Sequence, residues 1–194
     1  IIFTNGIVKS EVNMLDFETY PIIAAVRTKE DFILAIDSDI QTVFLLSAEL
    51  SQVPKYCELA HRKNKILFIH LDFVNGLSND AHGVKYLASM GIDGIISTRS
   101  NVISAAHGCG LMSVQRFFMI DSRSVDTALE TLLSSKASMI EVMPGIAYKA
   151  ISKIKKHIKI PIIAGGLINS KDECFKALNE GASMISTGEH SLWQ

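Results

Sequence analysis

Two short stretches carry the clearest chemical signal in this chain. One is Pro161-Ile162-Ile163-Ala164-Gly165-Gly166; the other is Met184-Ile185-Ser186-Thr187-Gly188. A strand that ends in Gly-Gly presents backbone N–H groups with no Cβ in the way. A neighbouring strand that ends in Ser-Thr-Gly adds hydroxyls beside it. Together, Gly165, Gly166, Thr187 and Gly188 could hold a phosphate; the plainer reading is a tight strand end and a helix cap.

Other polar groups interrupt apolar runs. His70 and Asp72 lie two apart and share a side if the run is a strand. Asp72 could bind ligand hydroxyls while His70 orients it, or both could belong to a buried polar network. Gln115 and Arg116 are adjacent, so only one can face a given side. Arg116 either neutralises a ligand phosphate or pairs with a carboxylate such as Glu141 or Asp121, because buried charges need partners. Glu141 could be that partner or accept hydrogen bonds from a polyol. No third ligand completes a metal site around His70 and Asp72.

Lys149, Lys153 and Lys156 share a helical face in the densest basic segment, Lys149–Lys159. They could contact nucleic-acid phosphates; a solvated outer helix face is the commoner meaning of such a run. Gly-x-Ser-x-Gly, Walker A and His-Glu-x-x-His motifs are absent. Cys57 and Cys174 fall within expected helices and read as structural. No set of acid, base and nucleophile emerges, which favours binding over catalysis.

Elements must position these groups. Apolar runs of strand length recur at Pro21–Val26, Thr42–Ser47, Ile66–Asp72, Gly94–Thr98, Ser113–Ile120, Met139–Pro144, Pro161–Gly166 and Met184–Gly188. Their spacing of roughly 20 to 27 residues is that of a compact βα unit. Helices are expected over Lys29–Asp37, Val53–Lys63, Asn79–Met90, Val102–His107, Ser124–Ser134, Ile146–His157 and Lys171–Glu180. Strands and helices in this alternation predict a compact (β/α)8 barrel of the TIM type with a short or missing eighth helix. The glycine pairs would then end strands seven and eight, where such barrels commonly hold phosphate.

The 194 residues, 48% of them hydrophobic, suit one domain over 1–194, with 1–20 as a covering segment and Ile7–Phe17 as a short helix. A formal net charge of −1 gives no global field for nucleic acid. Three separated cysteines suit a reducing, cytoplasmic compartment. No run reaches the roughly 18 apolar residues of a membrane span, and Ile1–Gly6 lacks a signal-peptide layout.

Five separated motifs carry a resemblance. They are Ile69-His70-Leu71-Asp72-Phe73-Val74-Asn75-Gly76-Leu77, Asp93-Gly94-Ile95-Ile96-Ser97-Thr98-Arg99-Ser100-Asn101, Gln115-Arg116-Phe117-Phe118-Met119-Ile120-Asp121-Ser122, Ile140-Glu141-Val142-Met143-Pro144-Gly145-Ile146 and Ile162-Ile163-Ala164-Gly165-Gly166-Leu167-Ile168. From about Pro21 to Trp193 the chain resembles the glycerol uptake operon antiterminator regulatory protein family. The resemblance implies a cytoplasmic regulator that senses glycerol 3-phosphate as its effector, with no cofactor. It would bind the leader mRNA of glycerol-uptake genes and prevent premature termination. By that likeness Gly165, Gly166, Thr187 and Gly188 take the phosphate, with Asp72, Gln115 and Glu141 near the glycerol moiety. No membrane partner is implied, and a homo-oligomer is compatible with the reading. The alternative is a barrel enzyme, an isomerase or synthase, acting on a small phosphorylated substrate, with Asp72 and Glu141 as acid and base. A phosphometabolite-binding protein without an RNA partner is a third reading.

Overall fold

The computed structural model describes residues 19–193. Eight parallel strands close on themselves: β1 (Ile22–Val26), β2 (Thr42–Leu45), β3 (Ile66–His70), β4 (Gly94–Ser97), β5 (Met112–Phe118), β6 (Met139–Met143), β7 (Ile162–Gly165) and β8 (Met184–Thr187). Each pairs with the next in sequence, and β8 returns to β1 with Ile22 opposite Ile185. The expected (β/α)8 barrel is the fold.

Alternation along each strand sorts side chains between lumen and helices. Ile23, Phe44, Phe68, Ile96, Val114, Met139, Ile163 and Met184 fill the lumen. Phe44 and Phe68 pack with ring centroids 5.3 Å apart. Residue 94 must be glycine for this packing, since a Cβ there would lie 2.2 Å from the Phe68 ring. The outward side chains form two further apolar clusters under the helices.

Among the described residues, seven helices cover the barrel: α1 (Lys29–Asp37), α2 (Val53–Arg62), α3 (Ala81–Ser89), α4 (Ser100–Gly108), α5 (Ser122–Leu132), α6 (Tyr148–Lys155) and α7 (Lys171–Asn179). Their starts are set by side chains that accept otherwise unpaired first-turn N–H groups. Thr28 accepts from Asp31, Asp80 from His82 and Gly83, and Ser170 from Glu173. Asp121 and Ser124 form a reciprocal capping box on α5.

After β8 the chain makes a short 3-10 turn, His190–Leu192, where an eighth helix would pack. Trp193 lies beneath it, 2% exposed, and its Nε1 donates to the Thr187 carbonyl at 3.0 Å. His190 stacks near the indole and reaches Asp31 on α1 at 3.0 Å.

Seven of the eight expected strands end one or two residues early, among them β3 at His70 and β5 at Phe118. Asp72 leaves the barrel ladder in a 3-10 turn, Leu71–Phe73, and Asp121 draws the chain away to cap α5. The helix expected over Ile146–His157 is confined to Tyr148–Lys155. Beside the barrel, Ala48–Glu49 pairs with Val74–Asn75, a two-residue ladder too short to signal itself in sequence. The covering segment and the helix expected at Ile7–Phe17 lie outside the described residues. Among the described residues, no helix is long and apolar enough to cross a membrane.

Candidate functional site at the barrel mouth

Polar groups on β3, β5 and β6 form one buried network below the C-terminal mouth. The arithmetic of alternation puts Arg116 on the same face as Val114, inside the lumen. Arg116 Nε donates to Glu141 Oε2 at 2.6 Å, and its Nη1 lies 3.3 Å from His70 Nδ1. A guanidinium only donates, so His70 Nδ1 is the acceptor and a neutral ring carries its proton on Nε2. Arg116, Glu141 and His70 are 5%, 1% and 1% exposed. Arg116 is thus committed to a carboxylate partner, and that partner is Glu141 rather than Asp121.

His70 Nε2 is directed at Asp72 Oδ2 from 3.6 Å, beyond hydrogen-bond reach. The two residues do not share one strand face as expected, because Asp72 sits in the turn after β3. There its carboxylate is already supplied with donors. Oδ1 accepts from Ser97 Oγ at 2.6 Å; Oδ2 accepts from the Thr98 N–H at 2.9 Å and Thr98 Oγ1 at 2.8 Å. Burial pushes the Asp72 carboxyl up, but the nearby His70 Nε2–H together with the hydrogen bonds from Ser97 and Thr98 outweighs it and holds the carboxyl well below the usual carboxylate range. Asp72 therefore fastens the end of β3 to the end of β4.

Gln115 faces the other way from Arg116. Its Nε2 donates to Ser100 Oγ at 3.0 Å, and its Oε1 accepts from Ser135 Oγ at 2.5 Å. It ties the start of α4 to the connection before β6, and the structure sets it apart from the lumen group.

The turn after β7 is built differently. A Cβ on Gly165 would lie 2.1 Å from Glu141 Oε1, so this glycine makes room for the carboxylate. Gly166 has φ +76° and Leu167 has φ +58°, two successive left-handed residues, the second costly for a side chain. Neighbours pin this turn. Gly166 O accepts from the Gly145 N–H at 2.9 Å, and the Gly166 N–H reaches Ser186 O at 3.4 Å. Thr187 Oγ1 donates to Ile168 O at 2.7 Å and accepts from the Glu189 N–H at 3.0 Å. Among the described residues, no hydrogen bond uses the N–H of Leu167 or Ile168.

The structure thus gathers Gly165, Gly166, Thr187 and Gly188 on adjacent strand ends, with Glu141 against Gly165. The Thr187 hydroxyl holds the turn from outside the lumen. The Glu189 carboxylate accepts from the Ser191 N–H as a cap, which lowers its pKa. Lys149 and Lys153 lie on exposed α6 positions and Lys156 just beyond it. Lys153 is paired with Asp126 at 2.5 Å. Sequence reasoning did not single out the N–H groups of Leu167 and Ile168, free among the described residues. Gly165-Gly166 marks a turn, but nothing in the letters Leu-Ile says that their N–H groups go unused. Among the described residues, no group of three or more His, Cys, Asp or Glu side chains could hold a metal.

Relatives agree with this architecture. A crystal structure of the glycerol uptake operon antiterminator regulatory protein from Listeria monocytogenes str. 4b F2365 superposes with a TM-score of 0.88. It is 31% identical, over 92% of this chain and 97% of that one. A glycerol uptake operon antiterminator-related protein from Thermotoga maritima MSB8 gives 0.81 at 29% identity, over 90% and 98%. The uncharacterised protein YgcP of Escherichia coli (strain K12) is 31% identical over 174 residues, 89% of this chain and 91% of that protein. The family model for glycerol-3-phosphate responsive antiterminators matches residues 22–193. With nearly every described residue inside that match, the chain belongs to the glycerol-3-phosphate responsive antiterminator family.

Proposed function

We propose that this protein binds glycerol 3-phosphate at the C-terminal mouth of the barrel and, so loaded, binds the leader mRNA of a glycerol-uptake operon in the cytoplasm. Binding would block premature termination and so promote transcription of the uptake genes. The observation that carries the effector site is the turn Gly165–Ile168, where two consecutive backbone N–H groups have no partner among the described residues. Backbone donors of this kind suit a phosphate, and the turn follows strand seven, where barrels commonly hold one.

In this reading the phosphate meets the backbone of Gly165, Gly166, Thr187 and Gly188, with Leu167 and Ile168 added. The glycerol end reaches toward Glu141, the one of the three expected contacts that abuts the turn. Asp72 and Gln115 act at a distance, by fixing the ends of β3 and β4 and the start of α4. Glycerol 3-phosphate is an effector and no cofactor is required. It shifts RNA affinity only by binding one conformation better than another. Lys149, Lys153 and Lys156 are the proposed RNA contacts.

Fluorescence anisotropy of a labelled leader transcript, with and without glycerol 3-phosphate, tests this. Tighter RNA binding with the effector supports antitermination. RNA affinity indifferent to the effector, together with turnover of a phosphorylated triose or sugar, would replace it with the enzyme reading.

A further inference from the structure

A groove of about 510 Å3 lies outside the barrel, between the approach to α5 and the start of α6. Its walls are largely apolar, with Met119 and Ile120 on one side and Ile146 and Tyr148 on the other. Ile120 is 88% exposed and Ile146 38%. Exposed apolar side chains gathered around one concave surface, rather than a single bare isoleucine, mark a contact surface.

One edge of the groove is basic. Between Pro144 and Pro161 the chain carries Lys149, Lys153, Lys155, Lys156 and Lys159 and no Asp or Glu, although the whole chain has a net charge of −1. Two acids on the facing side have fixed partners. Asp121 caps α5 and Asp126 pairs with Lys153. Lys149, at the groove itself, has no ion pair among the described residues.

Both walls hang from the turn after β7. The Gly145 N–H donates to Gly166 O, and a Cβ on Gly145 would come within 3.0 Å of Gly165 N. The Met119 N–H donates to Met143 O at 2.6 Å, linking the second wall to the first.

We infer that this groove receives an unstacked base of single-stranded RNA, with Lys149 and its neighbours on the flanking phosphates. The chemistry fits: an apolar trough with a phenol ring accepts any base face, while lysines along one edge follow the backbone. A duplex would present no base to such a trough. A second copy of the chain fits worse, because a two-fold interface sets the same patch against itself and would bring lysines onto lysines. The Gly145–Gly166 bond makes the groove wall responsive to whatever occupies the effector turn. This rests on the RNA-binding reading of the protein.

The test uses the full chain and a leader transcript carrying 5-iodouracil for photocrosslinking, with glycerol 3-phosphate present. Crosslinks should fall on Tyr148 or on the peptide containing Ile120. Ile120→Glu, a change at an exposed side chain, should weaken RNA binding on the order of tenfold, with effector affinity unchanged. Lys171→Ala on α7 should bind RNA as the parent does. Crosslinks elsewhere, with Ile120→Glu binding within about twofold of the parent, overturn the inference. So does an Ile120→Glu chain whose only change is from dimer to monomer in sedimentation. If the unaltered chain binds no RNA at any effector concentration, the antitermination reading fails as well, and the two failures are told apart by which protein fails.

Discussion

At the scale of single residues, the mouth is governed by charges that hold one another. Replacing Asp72 by Asn removes an acceptor from Ser97 and Thr98 and should cost about 2 kcal/mol at neutral pH, read from urea melts. The sign of its pH dependence follows from the lowered carboxyl. The folded protein keeps Asp72 ionised where the unfolded chain, titrating near about pH 4, has begun to take up a proton. The stabilisation is therefore complete above about pH 4 and fades as pH falls below it. The gap between parent and Asp72→Asn should narrow on acidification; a gap that widens would show that the carboxylate is not held by its donors. Arg116→Met would strand Glu141 in the lumen and should cost about 3–5 kcal/mol. The double change Arg116→Met with Glu141→Gln should recover part of that in the same melts. The sequence left Arg116 open between a ligand phosphate and a carboxylate partner, Glu141 or Asp121. What it could not show is which of Gln115 and Arg116 turns inward, since both are polar and the alternation starts from a register the letters do not state.

At the scale of elements, the strands were legible because buried parallel strands are apolar on both faces and stand out as short runs. Their ends were less so. Polarity sets in at His70 while β3 is still paired, whereas Asp72 and Asp121 both follow the last paired residue, because local side-chain bonding, not hydropathy, ends those strands. The turn after β7 depends on β8 through one hydroxyl. Thr187→Val keeps the shape but leaves Ile168 O and the Glu189 N–H without that partner. It should lower stability by about 1–2 kcal/mol and weaken glycerol 3-phosphate binding, measured by calorimetry. Unchanged effector affinity would separate the turn from the site. On α6, changing Lys149, Lys153 and Lys156 to Ala should flatten the plot of RNA affinity against salt by a slope of about 2 or 3. An unaltered slope would remove this helix from the interface.

At the scale of the whole molecule, the seven helices among the described residues cover eight strands, and after β8 one indole packs where an eighth helix would lie. Trp193→Ala should cost about 3–5 kcal/mol, measured by thermal melting, because Trp193 packs with the cluster under α1 and α2 and also serves the Thr187 carbonyl. The eight-strand architecture was readable from spacing alone. The role of Trp193 was not, since a single aromatic after the last strand has no period to announce it. The ladder between β1 and β8 has a consequence in time. Ile22 finds its partner Ile185 only after every intervening strand has been synthesised. Until then a nascent chain carries an open sheet with two unpaired margins, which invite mispairing. On the proposed antitermination reading, the protein becomes competent to bind RNA only once that ring has closed.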